Sequence, residues 1–328
     1  MNFFKNVLAS LLGLIIFAFL SFLILIGIAT AGEGEKIVNV EPSSILYIKL
    51  GGILQERTLE DPLKDLFPEV VISEIGLHDL VSTIKHSKED ERINGIYLDH
   101  KLLSGGFASL KEIRDVLIDF KSSGKTIYAY GEYLSEGDYY LASVADIFFL
   151  HPEGSLEFNG LMANITFFKG LFEKLEIKPE IFRVGAFKSA VEPYLRENMS
   201  SENRFQYTSL LNNIYDIYLN DVSLSRDIKK GDLSRYSKEL QVQIPEDAYR
   251  LKLVDSLGYK DELKLLIAAD LGKEEISDIN FISYQNYKKS YKKKYARDKI
   301  AIVHANGPIV MAGDDTQVVG YKIAKEIR

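Results

Sequence analysis

The sequence predicts an α/β protein whose sheet is mostly parallel. Short apolar segments with strand character alternate with segments in which apolar residues recur at the spacing of a helix. The chain has 328 residues, of which 46% are hydrophobic and 27% are charged. This composition excludes disorder as a description of the whole chain, and the length leaves room for a sizeable core.

The first element is an uncharged segment at 7–32, which is 26 residues long and lies between Lys5 and Glu33. As a helix it would span about 39 Å, enough to cross a hydrocarbon core of about 30 Å. A cleaved signal peptide is the alternative, because Ala29-Thr30-Ala31 resembles a cleavage site, but its apolar region is usually only about 7–15 residues. We therefore predict a transmembrane anchor with residues 1–6 in the cytoplasm, since the basic residue precedes the segment and the acidic residue follows it.

A polar stalk at 33–43 leads into the alternating region. The strands predicted there are 44–50, which ends at Gly51-Gly52, then 95–99, 126–131 and 147–150. The helical patterns between and after them are 75–84, 110–120 and 139–144. This order of elements is typical of a parallel sheet covered by helices.

The region beyond Gly170 is predicted to be largely helical. It contains a short helix at 171–175, a strand at 181–184, a loop at 185–199 and a helical pattern at 248–271 that is broken at Gly258. A long amphipathic helix is predicted to start at Ser200 or Ser201, since either serine is a good N-cap.

The tail repeats the beginning of the alternating region. Residues 299–309 show an apolar strand, a turn with glycine and then isoleucine, as do residues 46–53. We interpret this as the opening of a second copy of the same unit, cut off at Arg328. The alternative is a C-terminal strand that completes the first sheet. The predicted organisation is therefore a first unit at 44–285, a linker at 286–298 and the start of a truncated second unit at 299–328.

Composition also excludes several kinds of site. The chain has no cysteine, so it has no disulfide, no thiolate zinc site and no cysteine nucleophile. The net charge of −7 argues against a nucleic-acid-binding protein, and the Lys- and Tyr-rich stretch at 287–295 is interpreted as a solvated linker. The five histidines are scattered without metal-ligand spacing, so we predict no metal site.

Two residues are candidates for catalysis on local grounds. Ser135 is a weak candidate nucleophile, because Tyr133 stands where a G-x-S-x-G turn needs its first glycine. Lys188 is flanked by Ala186, Phe187, Ala190 and Val191. A lysine serves as a general base near neutral pH only where apolar surroundings lower the ordinary ammonium pKa of about 10.4 toward about 7.5.

The stretch FRVGAFKSAVEPY at 182–194 resembles the lysine motif of the signal peptide peptidase A (protease IV) family in its long, two-repeat form. Residues 131–146 are similar to part of the first repeat of that family, and 251–258 resemble a signature near the ends of its repeats. Residues 303–309 resemble the start of its second repeat. The resemblance extends over nearly the whole chain, from the apolar segment to the tail.

The resemblance implies a ClpP/crotonase-like fold of repeated β-β-α units and a serine endopeptidase that uses a Ser–Lys dyad without a cofactor. It implies that Lys188 is the general base and that the nucleophilic serine belongs to the second repeat. Glu136 occupies the nucleophile's place in this first repeat, and Gly105-Gly106 resembles the position of the oxyanion-hole glycines. The chain by itself is therefore expected to lack proteolytic activity.

The resemblance also implies the setting in which the protein acts. It implies a single-pass protein of the bacterial inner (cytoplasmic) membrane with its catalytic part on the periplasmic side, cleaved signal peptides as substrates and a homo-oligomeric assembly. Two alternatives are a non-catalytic scaffold or binding module of crotonase-like fold and an acyl-CoA enzyme of that fold. The second is disfavoured because CoA chemistry does not suit an externally facing anchored domain.

Overall fold

The computed structural model describes residues 2–31, 38–57, 74–291, 298, 300–305, 307–313 and 317–328. Helix α1 (Asn2–Ala31) contains a stretch, Phe3–Ile24, of 22 residues that is apolar and long enough to cross a membrane. This stretch is not buried against the other residues that the structure describes. This helix is compatible with the predicted anchor and equally with a signal sequence.

A sheet of seven strands forms the centre of the protein, and all of its described pairings are parallel. Its strands are β1 (Ser44–Gln55), β2 (Glu74–Gly76), β3 (Ile93–Ser104), β4 (Thr126–Leu134), β5 (Ile147–Leu156), β6 (Ser256–Leu257) and β7 (Phe281–Ser283). The order is β2-β1-β3-β4-β5-β6, and β7 pairs with the first part of β1. The predicted α/β class with a parallel sheet is confirmed.

Helices connect the parallel strands and cover the sheet. They are α2 (Leu77–Glu89), α3 (Phe107–Lys121), α4 (Glu136–Ala142), α5 (Lys169–Lys174), α6 (Glu192–Leu195), α7 (Ser201–Arg226), α8 (Lys230–Lys238), α9 (Pro245–Arg250), α10 (Lys260–Asp270) and α11 (Tyr284–Lys288). Side chains alternate across each strand, so two cores form. Leu98 belongs to the larger core with α2, α3 and α4, whereas Tyr97 belongs to the smaller core with α10.

A buried arginine joins three of the helices of the larger core. Arg114 on α3 is fully buried. Its guanidinium donates to Ser143 Oγ at 2.8 Å, to the carbonyl oxygen of Asp221 on α7 at 2.7 Å and to Ser225 Oγ at 2.6 Å. It also donates to the carbonyl oxygen of Tyr140 on α4, over whose ring it lies. These contacts fix α7 against α3 and α4.

The first predicted strand is longer than expected, because β1 continues through Gly51-Gly52 to Gln55. The strands approach closely there: a Cβ on Gly51 would lie 2.7 Å from the carbonyl oxygen of Lys101 on β3. Gly52 adopts a φ of +84°, which glycine tolerates, and the register with β3 shifts at this point. The two glycines are therefore a bulge within the strand and do not end it.

Two other sequence predictions of secondary structure are wrong. Residues 181–184 form no strand, since no strand among the described residues lies beside them to pair with them. The helical pattern at 248–271 is broken near Gly258 as predicted, but the break is wider than expected: it extends from the end of α9 at Arg250 to the start of α10 at Lys260 and contains β6, whose two residues pair with Phe149 and Leu150 of β5. The strand predicted from residue 299 is also absent over the described residues 300–305.

The last described part of the chain forms a small unit of its own. It contains β8 (Ile309–Val310), β9 (Val318–Val319) and α12 (Gly320–Ile327). In the described ranges, β8 and β9 pair with each other and with no strand of the seven-stranded sheet.

Candidate functional site

The candidate site lies on and around a segment that leaves the sheet after β5. We call residues 160–199 the arm. Many of its apolar side chains face solvent: Met162 is 84% exposed, Phe182 is 95% exposed and Val184 is 89% exposed. Such a concentration of exposed apolar side chains is unusual for a surface that stays in water.

Lys188 lies on a short loop of the arm. Gly185, with a φ of +96°, makes the turn before it, and a single 3₁₀ turn, Ser189–Val191, follows it. Lys188 is exposed, and its ammonium has no hydrogen-bond or ion-pair partner in the part of the chain that the structure describes. The described residues therefore do not surround Lys188 with the predicted apolar side chains, because Phe187 also faces solvent and is 54% exposed.

Aromatic stacking holds the arm together beside this loop. Tyr194 stacks on Phe168 and on Phe172, with ring centroids 6.2 Å and 6.1 Å apart. The backbone N–H of Phe168 donates to the carbonyl oxygen of Pro193 at 2.7 Å. Two parts of the arm thus contact each other, and Lys188 lies between them in sequence.

Sequence reasoning missed Glu192, a buried carboxylate that follows the Lys188 loop. It is 1% exposed and accepts hydrogen bonds from the Ser200 N–H at 3.0 Å, Ser200 Oγ at 2.5 Å and Asn203 Nδ2 at 2.9 Å. Arg183 Nη1 lies 3.8 Å from its Oε1. Burial raises the pKa of Glu192, but the hydrogen bonds from Ser200 and Asn203 together outweigh burial and lower it. The signal available in the sequence was a charged residue within the apolar run Ala190-Val191-Glu192-Pro193-Tyr194.

Ser135 begins α4 and has a structural role there. It is the N-cap of α4: its Oγ accepts from the Asp138 N–H at 3.1 Å and donates to Asp138 Oδ2 at 2.6 Å. Asp138 Oδ1 also lies 3.5 Å from His100 Nδ1, and both side chains are fully buried. Burial opposes ionisation of Asp138, but hydrogen bonds from His100 and Ser135 lower its pKa. The Ser135 hydroxyl is therefore engaged by a carboxylate and not by a lysine.

Glu136 follows Ser135 and is 8% exposed. Its Oε1 accepts from the backbone N–H groups of Asn159 at 2.8 Å and Gly160 at 2.6 Å, where the arm begins. Its Oε2 is buried without a hydrogen-bond partner in the described residues. Burial raises the pKa of Glu136, against the effect of those two N–H groups. The carboxylate thus ties the start of the arm to α4.

The candidate oxyanion-hole glycines lie at the same edge of the sheet. Gly105-Gly106 follows β3, and Gly106 is the N-cap of α3. Ser135 and Glu136 follow β4, which is the neighbour of β3, so the carboxyl ends of these parallel strands bring the two segments to one edge. No hydrogen bond or ion pair joins Lys188 to this edge in the residues described.

Residues 119–273 match Peptidase family S49. This part of the chain belongs to peptidase family S49. The matched residues include β4, the arm with Lys188, and α7. The S49 assignment agrees with the family resemblance of the lysine motif.

Relatives of the S49 chain extend the match almost to its ends. It is 31% identical to "Protease 4" of Haemophilus influenzae over 94% of this chain and 54% of that protein. It is 31% identical to "Serine protease SPPA, chloroplastic" of Arabidopsis thaliana over 88% of this chain and 42% of that protein. The chain therefore spans about half the length of these relatives.

Two other similarities are more distant. The S49 chain is 24% identical to "Putative signal peptide peptidase SppA" of Enterococcus faecium over 85% of this chain and 84% of that protein. A solved mutant structure of the "1510-N membrane-bound stomatin-specific protease" is 8% identical and covers 74% of this chain and 97% of its own, with a TM-score of 0.40. That score is too low to support any functional inference.

Proposed function

We propose that this chain supplies the general base, Lys188, of a membrane-anchored serine endopeptidase that degrades cleaved signal peptides. The nucleophilic serine of the Ser–Lys dyad would come from outside residues 1–328. The observation that supports this most directly is the homology to Protease 4 over 94% of the chain, which includes the loop that presents Lys188.

In the proposed mechanism, the serine hydroxyl attacks the peptide carbonyl while the neutral amine of Lys188 takes its proton. The resulting ammonium then returns that proton to the leaving amine as the peptide bond breaks, and an acyl-enzyme remains. Water hydrolyses the acyl-enzyme with Lys188 again acting as the base. Backbone N–H groups would stabilise the oxyanion at each addition step.

The proposal requires a second surface next to Lys188, because the ammonium is exposed in the single chain. We propose that this surface belongs to the complete enzyme, a homo-oligomer that packs on the arm. The side chains of Phe182, Val184 and Phe187 support this, since they lie close to the lysine in sequence and are exposed in the described part of the chain. Such packing would remove the ammonium from water and thereby make it a competent base.

We also propose that residues 7–32 remain as a single-pass anchor in the bacterial inner membrane, with the catalytic part on the periplasmic side. The long exposed apolar face of Phe3–Ile24 supports a membrane location. Washing membranes at alkaline pH tests the anchor: the full-size protein should stay in the membrane fraction. Release of that protein, or a mature N-terminus at Gly32, would show that the segment is a cleaved signal.

The dyad is tested by substitution in the full open reading frame that contains this chain. Lys188→Ala should abolish peptide cleavage without loss of folding, since an exposed side chain leaves no cavity when it is truncated. Lys188→Arg should also abolish cleavage, because a guanidinium stays protonated and cannot accept the serine proton. Lys178→Ala is the matched control, since Lys178 is exposed on the same arm.

Cleavage of a fluorogenic peptide, with the melting temperature measured in parallel, decides the outcome. Retained activity in both Lys188 variants would refute the assignment. Cleavage by purified residues 1–328 alone would likewise refute the claim that the nucleophile lies elsewhere.

A further inference from the structure

Glu192 is a buried, hydrogen-bonded carboxylate next to the Lys188 loop, and the proposed mechanism gives it no role. The loop between Arg183 and Glu192 presents Lys188, yet the lysine ammonium itself has no partner in the described structure. The position of that ammonium is therefore determined by the backbone on either side of it. The contacts that hold this backbone in place therefore also position the proposed base.

The carboxylate of Glu192 fixes the loop to the rest of the protein. Three donors from the beginning of α7, the Ser200 N–H, Ser200 Oγ and Asn203 Nδ2, converge on it within 2.5–3.0 Å. Ser200 is at the same time the N-cap of α7, because its Oγ accepts from the Asn203 N–H at 3.1 Å. The loop is thus attached to a helix of 26 residues that packs on the larger core.

The same carboxylate also contacts the other side of the loop. Arg183 precedes Lys188 by five residues and Glu192 follows it by four, and Arg183 Nη1 lies 3.8 Å from Glu192 Oε1. Ser189 Oγ adds a weaker link, donating to Gln206 Oε1 on α7 at 3.4 Å. One buried charge therefore bridges both ends of the segment that presents the lysine.

We propose that Glu192 is the positioning residue for Lys188. It sets where the lysine amine stands, and it touches neither the peptide nor the serine. The alternative is that Glu192 only stabilises the beginning of α7, as an acidic group at a helix N-terminus does. The inference rests on the proposed function of Lys188, so its test must separate the two.

The first measurement uses the chain itself and does not depend on activity. Glu192→Gln removes the charge and one of the acceptors while keeping the shape of the side chain. The NMR order parameters of the backbone N–H groups at 184–191 should then fall below about 0.6, whereas those of α7 beyond its first turn should be unchanged. Glu197→Gln is the matched control, since Glu197 lies in the same segment with a side chain that is 71% exposed. Unchanged order parameters at 184–191 would overturn the proposal.

The second measurement uses the full open reading frame and a peptide substrate. Glu192→Gln should lower kcat at least tenfold with KM changed by less than twofold, because groups that merely bind the peptide are untouched. In a Lys188→Ala background, a soluble primary amine such as propylamine replaces the missing base. Glu192→Gln should leave that amine-dependent rate unchanged, since a free amine does not need the loop. An equal loss in the rescued rate would overturn the positioning role.

The two inferences fail in distinguishable ways. If Lys188→Ala keeps full activity, the proposed base is wrong, while lower order parameters at 184–191 in Glu192→Gln still show that the carboxylate holds the loop. If Lys188→Ala is inactive but Glu192→Gln has the kcat of the unsubstituted enzyme, only the positioning role is wrong.

Discussion

Glu136→Ala tests how the arm is attached to the sheet. The substitution removes the carboxylate that accepts from the Asn159 and Gly160 N–H groups, and it leaves α4 and its N-cap in place. We expect the chain to lose stability and the start of the arm to detach. Glu112→Ala on the exposed side of α3 is the control and should change the free energy of unfolding by less than about 0.5 kcal/mol.

The magnitude follows from two opposing effects. A hydrogen bond to a charged acceptor contributes about 1.5–3 kcal/mol, so the two N–H groups contribute about 3–6 kcal/mol. Burial of a carboxylate whose Oε2 has no described partner offsets about 1–3 kcal/mol of this. The difference spans about 0–5 kcal/mol, so Glu136→Ala should lower the free energy of unfolding by a central value of about 2.5 kcal/mol.

The pH dependence of the stability distinguishes two properties of the Glu136 side chain, its role as a hydrogen-bond acceptor and its negative charge. Burial raises the pKa of Glu136 above its unfolded value of 4.5, so the folded chain holds this proton to a higher pH than the unfolded chain. The stability linked to that proton is present below pH 4.5 and is lost as pH rises through the folded-state pKa. Glu136→Gln keeps an acceptor without the charge, so its stability relative to the unsubstituted chain should increase from pH 5 to pH 8.

Urea unfolding of the detergent-solubilised chain at the two pH values measures these differences, provided that the m-value is unchanged. Amide exchange at Asn159 and Gly160 reports the attachment directly. The reasoning is refuted if Glu136→Ala unfolds at the same urea concentration as Glu112→Ala. It is refuted equally if Glu136→Gln shows no gain at the higher pH.

Three further outcomes are expected. Arg114→Met should cost about 3–5 kcal/mol of stability, because four acceptors lose a buried cation. Arg235→Met, at an ion pair with Asp232 in which both side chains are exposed, should cost less than about 1 kcal/mol, and chemical denaturation measures both. Ser135→Ala should cost about 1 kcal/mol by the same measurement, since it removes an N-cap, and should leave the activity of the full enzyme nearly unchanged. Deleting residues 299–328 should hardly lower the melting temperature, and a large drop would show that they complete the first unit.

Elements that depend on local sequence were predicted well. Periodicity located the long strands β1, β3, β4 and β5 and the helices between them, but not the short strands β2, β6 and β7. The hydroxyls before α7 offered Ser200 or Ser201 as its N-cap, and the N-cap is Ser200. The wrong strand at 181–184 shows the limit of this reasoning. Phe182 and Val184 have strand propensity, but a strand exists only where another strand pairs with it.

The contacts that define the candidate site are not local, and for that reason the sequence did not reveal them. Glu136 binds N–H groups 23 and 24 residues away, and Glu192 binds groups 8 and 11 residues away on a different helix. The exposure of Lys188 is non-local as well, because apolar neighbours in sequence bury a lysine only if the fold turns them toward it. The role of Lys188 as a base therefore remains a prediction from the family resemblance.

The water-facing position of Lys188 bears on how a cell could keep such a peptidase in check. On the proposed function, Lys188 becomes a base only where another copy of the chain covers it, so a newly inserted chain would carry that base in a dormant form. Isolated chains would then be latent, and protection of neighbouring membrane proteins during biogenesis would need no propeptide and no inhibitor. Proteolysis would begin only where chains accumulate, and its rate would rise more steeply than in proportion to their density in the membrane.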